Sequence, residues 1–323
     1  MTEQDIAKVI LGESPAIRQV RRAILKLAAT RISVLILGPT GAGKELVAQA
    51  LHVASGRTGS FVAVNSAAIS DSLCEAELFG YVRGAFTGAV RDHDGYLVEA
   101  DRGTLFLDEI ESMSLAMQSK LLRAVESGVF RPAGARADRR SDLRVVAAAN
   151  EDPRSGALRH LFRKDLLYRL RGAVIEVPGL DARVDDIPVL VHHFARMLAA
   201  ELPRAVAFSD AAMRLLQARQ WPGNVRELQS AVAQVVACSG ASVITAVELQ
   251  QFLDSPGQVG IEEDAFDPMK ANLLRALQFG GNDTVRAAVL LGVHRSTIYR
   301  QMRRFGIPLP RFNGGGGLEP MAE

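Results

Sequence analysis

Three side chains in the first half of this chain could act together on a phosphate ester: Lys44, Asp108 and Glu109. Lys44 sits in Gly38-Pro39-Thr40-Gly41-Ala42-Gly43-Lys44-Glu45, a P-loop. Its glycines let consecutive backbone N–H groups curl around phosphate oxygens, while the lysine reaches the β- and γ-phosphates. Asp108-Glu109 has the form of a Walker B pair, with Asp108 to hold Mg²⁺ and Glu109 to orient or deprotonate an attacking water. Adjacent carboxylates can instead cap a helix, but a P-loop upstream favours the catalytic reading. The pattern predicts binding and hydrolysis of ATP with Mg²⁺. Glu45 stands where most P-loops carry the Ser or Thr that ligates magnesium, so the metal is expected to rely on a carboxylate elsewhere and on water.

These residues need rigid supports, and the sequence supplies them. Val34-Leu35-Ile36-Leu37 reads as a buried parallel strand entering the loop, and the residues from Glu45 and Leu46 onward continue as a helix whose N-terminus favours an anion. Thr104-Leu105-Phe106-Leu107 is a second buried strand, ending at the carboxylates. Phe61-Val62-Ala63-Val64-Asn65 and Val145-Val146-Ala147-Ala148-Ala149-Asn150 read as two more, each closing on an amide. Strands alternating with helices predict an α/β core on a parallel sheet.

Between the P-loop and the carboxylates lies Gly84-Ala85-Phe86-Thr87-Gly88-Ala89. Its small residues read as a mobile surface loop, with Phe86 as an apolar side chain that a monomer gains little by exposing and Thr87 as a hydroxyl contact. With the P-loop and Walker B pair, this hexapeptide makes the chain, from about Leu11 to Pro310, resemble the AAA+ activators of sigma-54 RNA polymerase, the bacterial enhancer-binding proteins. In that family a Glu after the P-loop lysine is usual, and the GAFTGA loop touches the sigma factor, which assigns sigma contact to Gly84, Ala85, Phe86, Thr87, Gly88 and Ala89. The resemblance implies an AAA+ P-loop core, an all-α lid and a C-terminal all-α helix-turn-helix domain.

Further roles come from the resemblance, position by position. Gly38, Gly41, Ala42, Gly43, Lys44, Glu45 and Leu46 hold the nucleotide. Asn65 couples Glu109 to nucleotide state, and Asn150 is the sensor near the γ-phosphate, although Ala149 replaces a Thr common before it. Phe162 to Leu170 resembles the arginine-finger segment, with Arg163 and Arg169 reaching the γ-phosphate of a neighbouring subunit. Trp221-Pro222-Gly223-Asn224-Val225-Arg226 matches the second sensor signature, with Arg226 turned toward the nucleotide. Val177-Pro178-Gly179-Leu180-Asp181-Ala182-Arg183 lacks the second proline and the Arg-Glu-Arg that are common after the fingers, a departure in domain coupling rather than in catalysis.

At 323 residues, 48% hydrophobic and 23% charged, the chain can bury a substantial core and is expected to form more than one domain. Cys74 and Cys238 make no disulfide framework or metal spacing, and the six histidines are scattered, with His192-His193 expected on a lid helix. Residues 1 to 20 carry Glu3, Asp5, Lys8 and Glu13, and no apolar run approaches a span of about 20 residues, so a cytoplasmic protein that avoids membranes is expected.

Charge is unevenly spread. Residues 269–312 hold eight basic residues against one acidic, a net of +7, while the rest holds 30 basic and 35 acidic, a net of −5. This split points to a nucleic-acid module. Asp267-Pro268, Gly280-Gly281-Asn282-Asp283 and Gly292 punctuate three short helices resembling a Fis-type helix-turn-helix, with Arg295, Ser296, Thr297, Tyr299 and Arg300 facing the major groove of double-stranded enhancer DNA and Arg303 and Arg304 meeting phosphates.

The expected organisation is an N-terminal tail (1–12), the AAA+ core (13–178), the lid (179–253), a linker (254–268), the helix-turn-helix domain (269–310) and a glycine-containing tail (311–323). The P-loop begins so early that no receiver domain is expected before it. Control would then come from expression, a repressor in trans or a co-activating paralogue, as in stand-alone family members, some of which drive type III secretion genes. The expected protein is an ATP-driven sigma-54 activator working as a hexameric ring, either homo-oligomeric or mixed with a paralogue. A DNA-binding repressor that keeps this fold without remodelling, or an AAA+ unfoldase or helicase, fits less well with GAFTGA and the catalytic residues intact.

Overall fold

Aliphatic runs flanked by glycine-rich turns become strands, and amphipathic segments with polar N-caps become helices. The computed structural model describes residues 2–67, 71–155, 162–199 and 206–254, and beyond them only Thr284, Ile298, Met302, Phe305 and Ile307. The chain divides into two compact units, residues 1–254 and 255–323.

The first unit opens with α1 (Glu3–Ala7), capped by Thr2 and Asp5 in a reciprocal capping box, and α2 (Pro15–Ala28), capped by Ser14. Strand β1 (Val34–Leu37) leads through the P-loop into α3 (Lys44–Ser55) and β2 (Phe61–Asn65). After α4 (Asp71–Phe79) and α5 (Tyr96–Glu99) comes β3 (Thr104–Asp108), then α6 (Leu115–Ser127), the short hairpin of β4 (Val129–Phe130) and β5 (Arg139–Arg140), and β6 (Arg144–Ala149). Helix α7 (Lys164–Leu170) precedes β7 (Ala173–Glu176). The five-stranded parallel sheet runs β2-β3-β6-β1-β7. Both faces are covered, so β1 and β6 are buried throughout, as the aliphatic run of β1 and that of β6 after its first residue, Arg144, require.

One core cluster packs α4, α5, α6 and α7 on one face of the sheet, and the other packs α1, α2 and α3 on the opposite face. The N-terminal twelve residues are anchored on the core and are not a loose tail: Ile6 and Ile10, one helical turn apart, are buried in the second cluster. Each such side chain contributes about 1.5–3 kcal/mol by leaving water. Buried Arg21 donates to the Ile10 carbonyl at 2.9 and 2.7 Å and to that of Gly12, fixing the strap between α1 and α2.

The lid begins with a 3₁₀ segment, Leu180–Asp186, and continues through α8 (Ile187–Ala199), β8 (Ala207–Phe208), α9 (Asp210–Ala218), α10 (Asn224–Cys238), β9 (Val243–Ile244) and α11 (Ala246–Asp254). Trp221, the single tryptophan, is fully buried in the lid core and donates its indole N–H to the Leu216 carbonyl at 2.9 Å. His192 and His193 lie on α8, as expected. No helix among the described residues is long and apolar enough to cross a membrane.

In the second unit, Thr284, Ile298 and Met302 are buried, and the Ile307 amide donates to the Met302 carbonyl at 2.8 Å. Apart from Asp254, which ends α11, the expected linker lies outside the described residues, as do most of the helix-turn-helix and all seven DNA-contact residues, Arg295, Ser296, Thr297, Tyr299, Arg300, Arg303 and Arg304.

Candidate functional site

Parallel strands leave their C-terminal ends on one edge of a sheet, and the candidate chemistry collects there. The amide of Gly38, leaving β1, donates to the Ala149 carbonyl at 3.3 Å, tying the P-loop to the end of β6. Lys44 is buried, and its Nζ donates to the Asn150 side-chain oxygen at 2.8 Å, the Gly38 carbonyl at 2.8 Å and the Pro39 carbonyl at 3.3 Å. Thr40 Oγ1 also donates to the Asn150 side chain, at 3.0 Å. The P-loop lysine and the predicted sensor amide, 106 positions apart in sequence, are thus in direct contact. Burial weakens the hold of Lys44 on its proton, opposed by the charges of Asp108, Glu111 and Glu109.

Asp108 ends β3 in register with Asn65 on β2, and both it and Glu109 are half-buried. Glu109 adopts a left-handed backbone (φ 51°) while its amide donates to Asp108 Oδ1 at 3.0 Å. A non-glycine residue there costs about 1–2 kcal/mol, a local strain that turns the chain sharply at the strand end into a 3₁₀ turn, Ile110–Ser112. Asn65 is exposed, and its side-chain oxygen accepts from the Ala67 amide at 2.8 Å. Among the described residues no three His, Cys, Asp or Glu side chains converge as a metal cage. Half-buried Asp108, at the strand end, is the carboxylate that could hold Mg²⁺, a cation that keeps several waters and needs only one or two carboxylates beside the phosphates.

The lid closes on the loop and on the start of α2 through backbone and side-chain contacts that the sequence pattern did not reveal. Gly41 (φ 76°) lies so near the lid turn that a Cβ there would be 2.2 Å from the Gly223 carbonyl oxygen, which only glycine permits. The Arg226 amide donates to the Gly41 carbonyl at 3.3 Å, and its guanidinium lies near enough to add positive charge beside Lys44. Buried Asn224 donates to the Thr40 carbonyl at 2.9 Å and accepts from the Leu180 amide at 2.7 Å. Arg183, also buried, donates to the Ala42 carbonyl at 2.9 Å. Asp186 accepts from the amides of Glu13 and Ser14 at 2.6 and 2.8 Å and from the Ser14 hydroxyl at 2.6 Å. A cleft of about 600 Å³ adjoins the loop between α2 and β7, with Gly38, Gln19 and Glu176 in its walls.

The predicted fingers make their hydrogen bonds to other partners than this cluster. Arg163 grips Asp165 with two hydrogen bonds, at 3.1 and 2.7 Å, and donates to Ser119 Oγ at 2.9 Å. Arg169 is exposed, donates to the Glu126 carbonyl at 3.3 Å, and follows Tyr168, which is 80% exposed. The described residues show no hydrogen bond from either arginine to Lys44, Asp108 or Glu109.

The GAFTGA segment is a closed loop rather than a loose one. The Gly84 amide donates to the Ala89 carbonyl at 2.9 Å and the Ala89 amide to the Phe86 carbonyl at 3.0 Å, with Gly84 and Gly88 at positive φ. Phe86 is 47% exposed and sets its ring edge-on to Tyr81, with centroids 4.9 Å apart, and Thr87 is exposed. Gly84, Phe86, Thr87 and Gly88 are exposed, with exposed Val90 beyond, whereas Ala85 is half-buried and Ala89 buried. The β4–β5 hairpin braces the loop base: Val82 donates to the Ala133 carbonyl at 3.1 Å and Ala133 to the Gly80 carbonyl at 2.9 Å.

Residues 10–176 match the Sigma-54 interaction domain and residues 181–265 the AAA+ ATPase lid domain. DctD, the C4-dicarboxylate transport transcriptional regulatory protein of Pseudomonas aeruginosa, is 41% identical over 315 residues, covering 96% of this chain and 66% of its own length. The DNA-binding transcriptional regulator NtrC of Rhizobium meliloti is 36% identical, covering 94% of this chain and 70% of its own. The chain thus spans about two thirds of the length of these curated relatives. The crystal structure of NtrX from Brucella abortus in complex with ATP superposes with a TM-score of 0.67 at 32% identity, over 94% of this chain and 71% of that one. The Holliday junction branch migration motor RuvB of Thermotoga maritima, 16% identical with a TM-score of 0.52 over 89% of this chain and 84% of its own, shares the fold.

Proposed function

We propose, from the premise that this chain belongs to the family of sigma-54-dependent activators whose shared domain is an AAA+ ATPase, that it hydrolyses ATP to remodel sigma-54 RNA polymerase from an enhancer. The observation that carries this reading is the half-exposed Phe86 beside exposed Thr87, on a braced loop in the same unit as the Lys44–Asn150 contact. A large apolar side chain raised on a hydrogen-bonded loop suits contact with another protein.

In the proposed cycle the P-loop amides and Lys44 take the phosphates, and Lys44 exchanges its bonds to the Gly38 and Pro39 carbonyls for phosphate oxygens. Asp108 would hold Mg²⁺, which supplies charge neutralisation between the β- and γ-phosphates. Glu109 orients the attacking water, and Asn150 senses the terminal phosphate. Arg163 and Arg169 serve the site of the next subunit, which makes an oligomeric ring, proposed to be a hexamer, the working form. Arg226 couples nucleotide state to the lid, and loss of the terminal phosphate moves the Phe86–Thr87 tip against sigma-54. Residues 269–310 hold the ring on double-stranded enhancer DNA through the basic helix-turn-helix.

Single-round transcription from a sigma-54 promoter with its cognate enhancer, purified protein, holoenzyme and ATP tests this. Wild type is expected to yield transcripts, and Thr87→Ala none, while its ATPase persists. Equal signals from both would sink the contact role of the loop.

A further inference from the structure

Glu111 belongs to neither the P-loop nor the Walker B pair, yet it reaches the centre of the site. It lies in the 3₁₀ turn Ile110–Ser112, directly after strained Glu109, and its Oε1 accepts from the Asn150 amide at 2.9 Å. The register of β3 with β6 stops at Leu107 and Ala147, so beyond that pair this bond joins the turn after β3 to the end of β6. Asn150 is consequently held from three sides: through the Gly38 amide on the adjacent Ala149 carbonyl, through Lys44 Nζ on its side-chain oxygen, and through Glu111 on its own amide. The second carboxylate oxygen, Oε2, is buried and has no hydrogen-bond partner among the described residues, and the Glu111 charge acts on Lys44 alongside those of Asp108 and Glu109. An acid placed this way does more than close a turn. A solvated turn residue would leave both oxygens to water.

We infer that Glu111 is a positioning residue for ATP hydrolysis. It fixes the distance between the Glu109 turn and the Asn150–Lys44 contact, so that the water-orienting carboxylate and the phosphate-sensing amide move as one piece. This rests on the proposed assignment of Lys44, Glu109 and Asn150 to ATP hydrolysis. The required property is the reach of an acceptor to the Asn150 amide. Glutamine has that reach, aspartate retracts the acceptor by one methylene while keeping the charge, and alanine has neither.

The test measures ATPase kcat and KM on the full chain for Glu111→Gln, Glu111→Asp and Glu111→Ala, with binding of a fluorescent ADP analogue measured in parallel. Glu111→Gln is expected to keep kcat within about threefold. Glu111→Asp and Glu111→Ala are expected to lose about tenfold or more, since misplacement on the scale of an ångström costs up to about a hundredfold in rate. KM and ADP-analogue binding are expected to stay within about threefold in all three, because the P-loop is untouched. Aspartate active with glutamine inactive would overturn the inference in favour of a charge role. Full activity in Glu111→Asp, or equal losses in kcat and nucleotide affinity, would also overturn it. Should Glu111→Ala fail to fold, the glutamine and aspartate pair decides alone. Lys44→Ala serves as the separate control: if it hydrolyses ATP like wild type, the site assignment itself fails.

Discussion

Replacing Asn224 by alanine tests whether the lid and the phosphate loop are held as one piece. Asn224 has a left-handed backbone (φ 54°), and its side chain bridges the Thr40 carbonyl and the Leu180 amide at 2.9 and 2.7 Å. Alanine leaves the Leu180 amide, on a fully buried residue, without this acceptor, at a cost of about 1–3 kcal/mol. The Thr40 carbonyl belongs to an exposed residue and can turn to water, so that loss is about 0.5–1 kcal/mol. Alanine at positive φ adds about 1–2 kcal/mol. The expected destabilisation is therefore about 2.5–6 kcal/mol. Trp221, the only tryptophan and only three positions away in the lid core, reports it by fluorescence during urea unfolding of the full chain. Asn224→Gly relieves the backbone term alone and should recover about 1 kcal/mol. An alanine variant within about 1 kcal/mol of wild type, or a glycine variant no better than alanine, would refute the reasoning.

Two further outcomes are expected. If Arg163 and Glu109 act at one site from different subunits, Arg163→Ala and Glu109→Gln are each expected to lose about a hundredfold or more in ATPase rate, and equimolar mixing of the two should restore roughly a quarter of wild-type activity, since a quarter of the interfaces then pair intact partners; no recovery on mixing would place both residues in one subunit's site. Asp152, just past Asn150, accepts from Arg154 and from Arg171 at the end of α7, and the hydrogen bonds from Arg154 are the main reason its pKa lies well below the usual carboxylate range, with Arg171 adding to them. A depressed carboxylate adds stability that is present above its unfolded value near 4 and is lost as pH falls toward the folded one. Asp152→Asn is thus expected to cost about 1 kcal/mol at pH 7 and to flatten the acid limb of the stability profile below pH 4, checked by urea unfolding across pH.

Much of this site was legible because its chemistry is local. A glycine loop between an aliphatic strand and a helix can be read from adjacent residues, and so can two carboxylates at a strand end, because turn geometry and strand burial depend on near neighbours. The N-terminal segment was misread. Ile6 and Ile10 have helical spacing, but α1 is only five residues long, so its burial depends on α2 and β1 rather than on its own pattern. The loop was read as mobile because glycine and alanine dominate it; its closure by hydrogen bonds within the hexapeptide depends on backbone conformation, and the β4–β5 brace comes from Ala133, 51 positions from Val82.

The sequence by itself determined the family, the parallel α/β core, the order of its motifs and the candidacy of Lys44, Asp108 and Glu109, since each follows from residue type and short spacing. Only the tertiary structure decided that Lys44 rests on Asn150, that Glu111 joins them, that Asn224 and Arg183 carry the lid onto the loop, and that Phe86 but not Ala89 faces outward. The physical reason is that contacts between residues 39 to 184 positions apart are set by which strand lies beside which, and the order β2-β3-β6-β1-β7 is a property of the packed sheet rather than of any one segment.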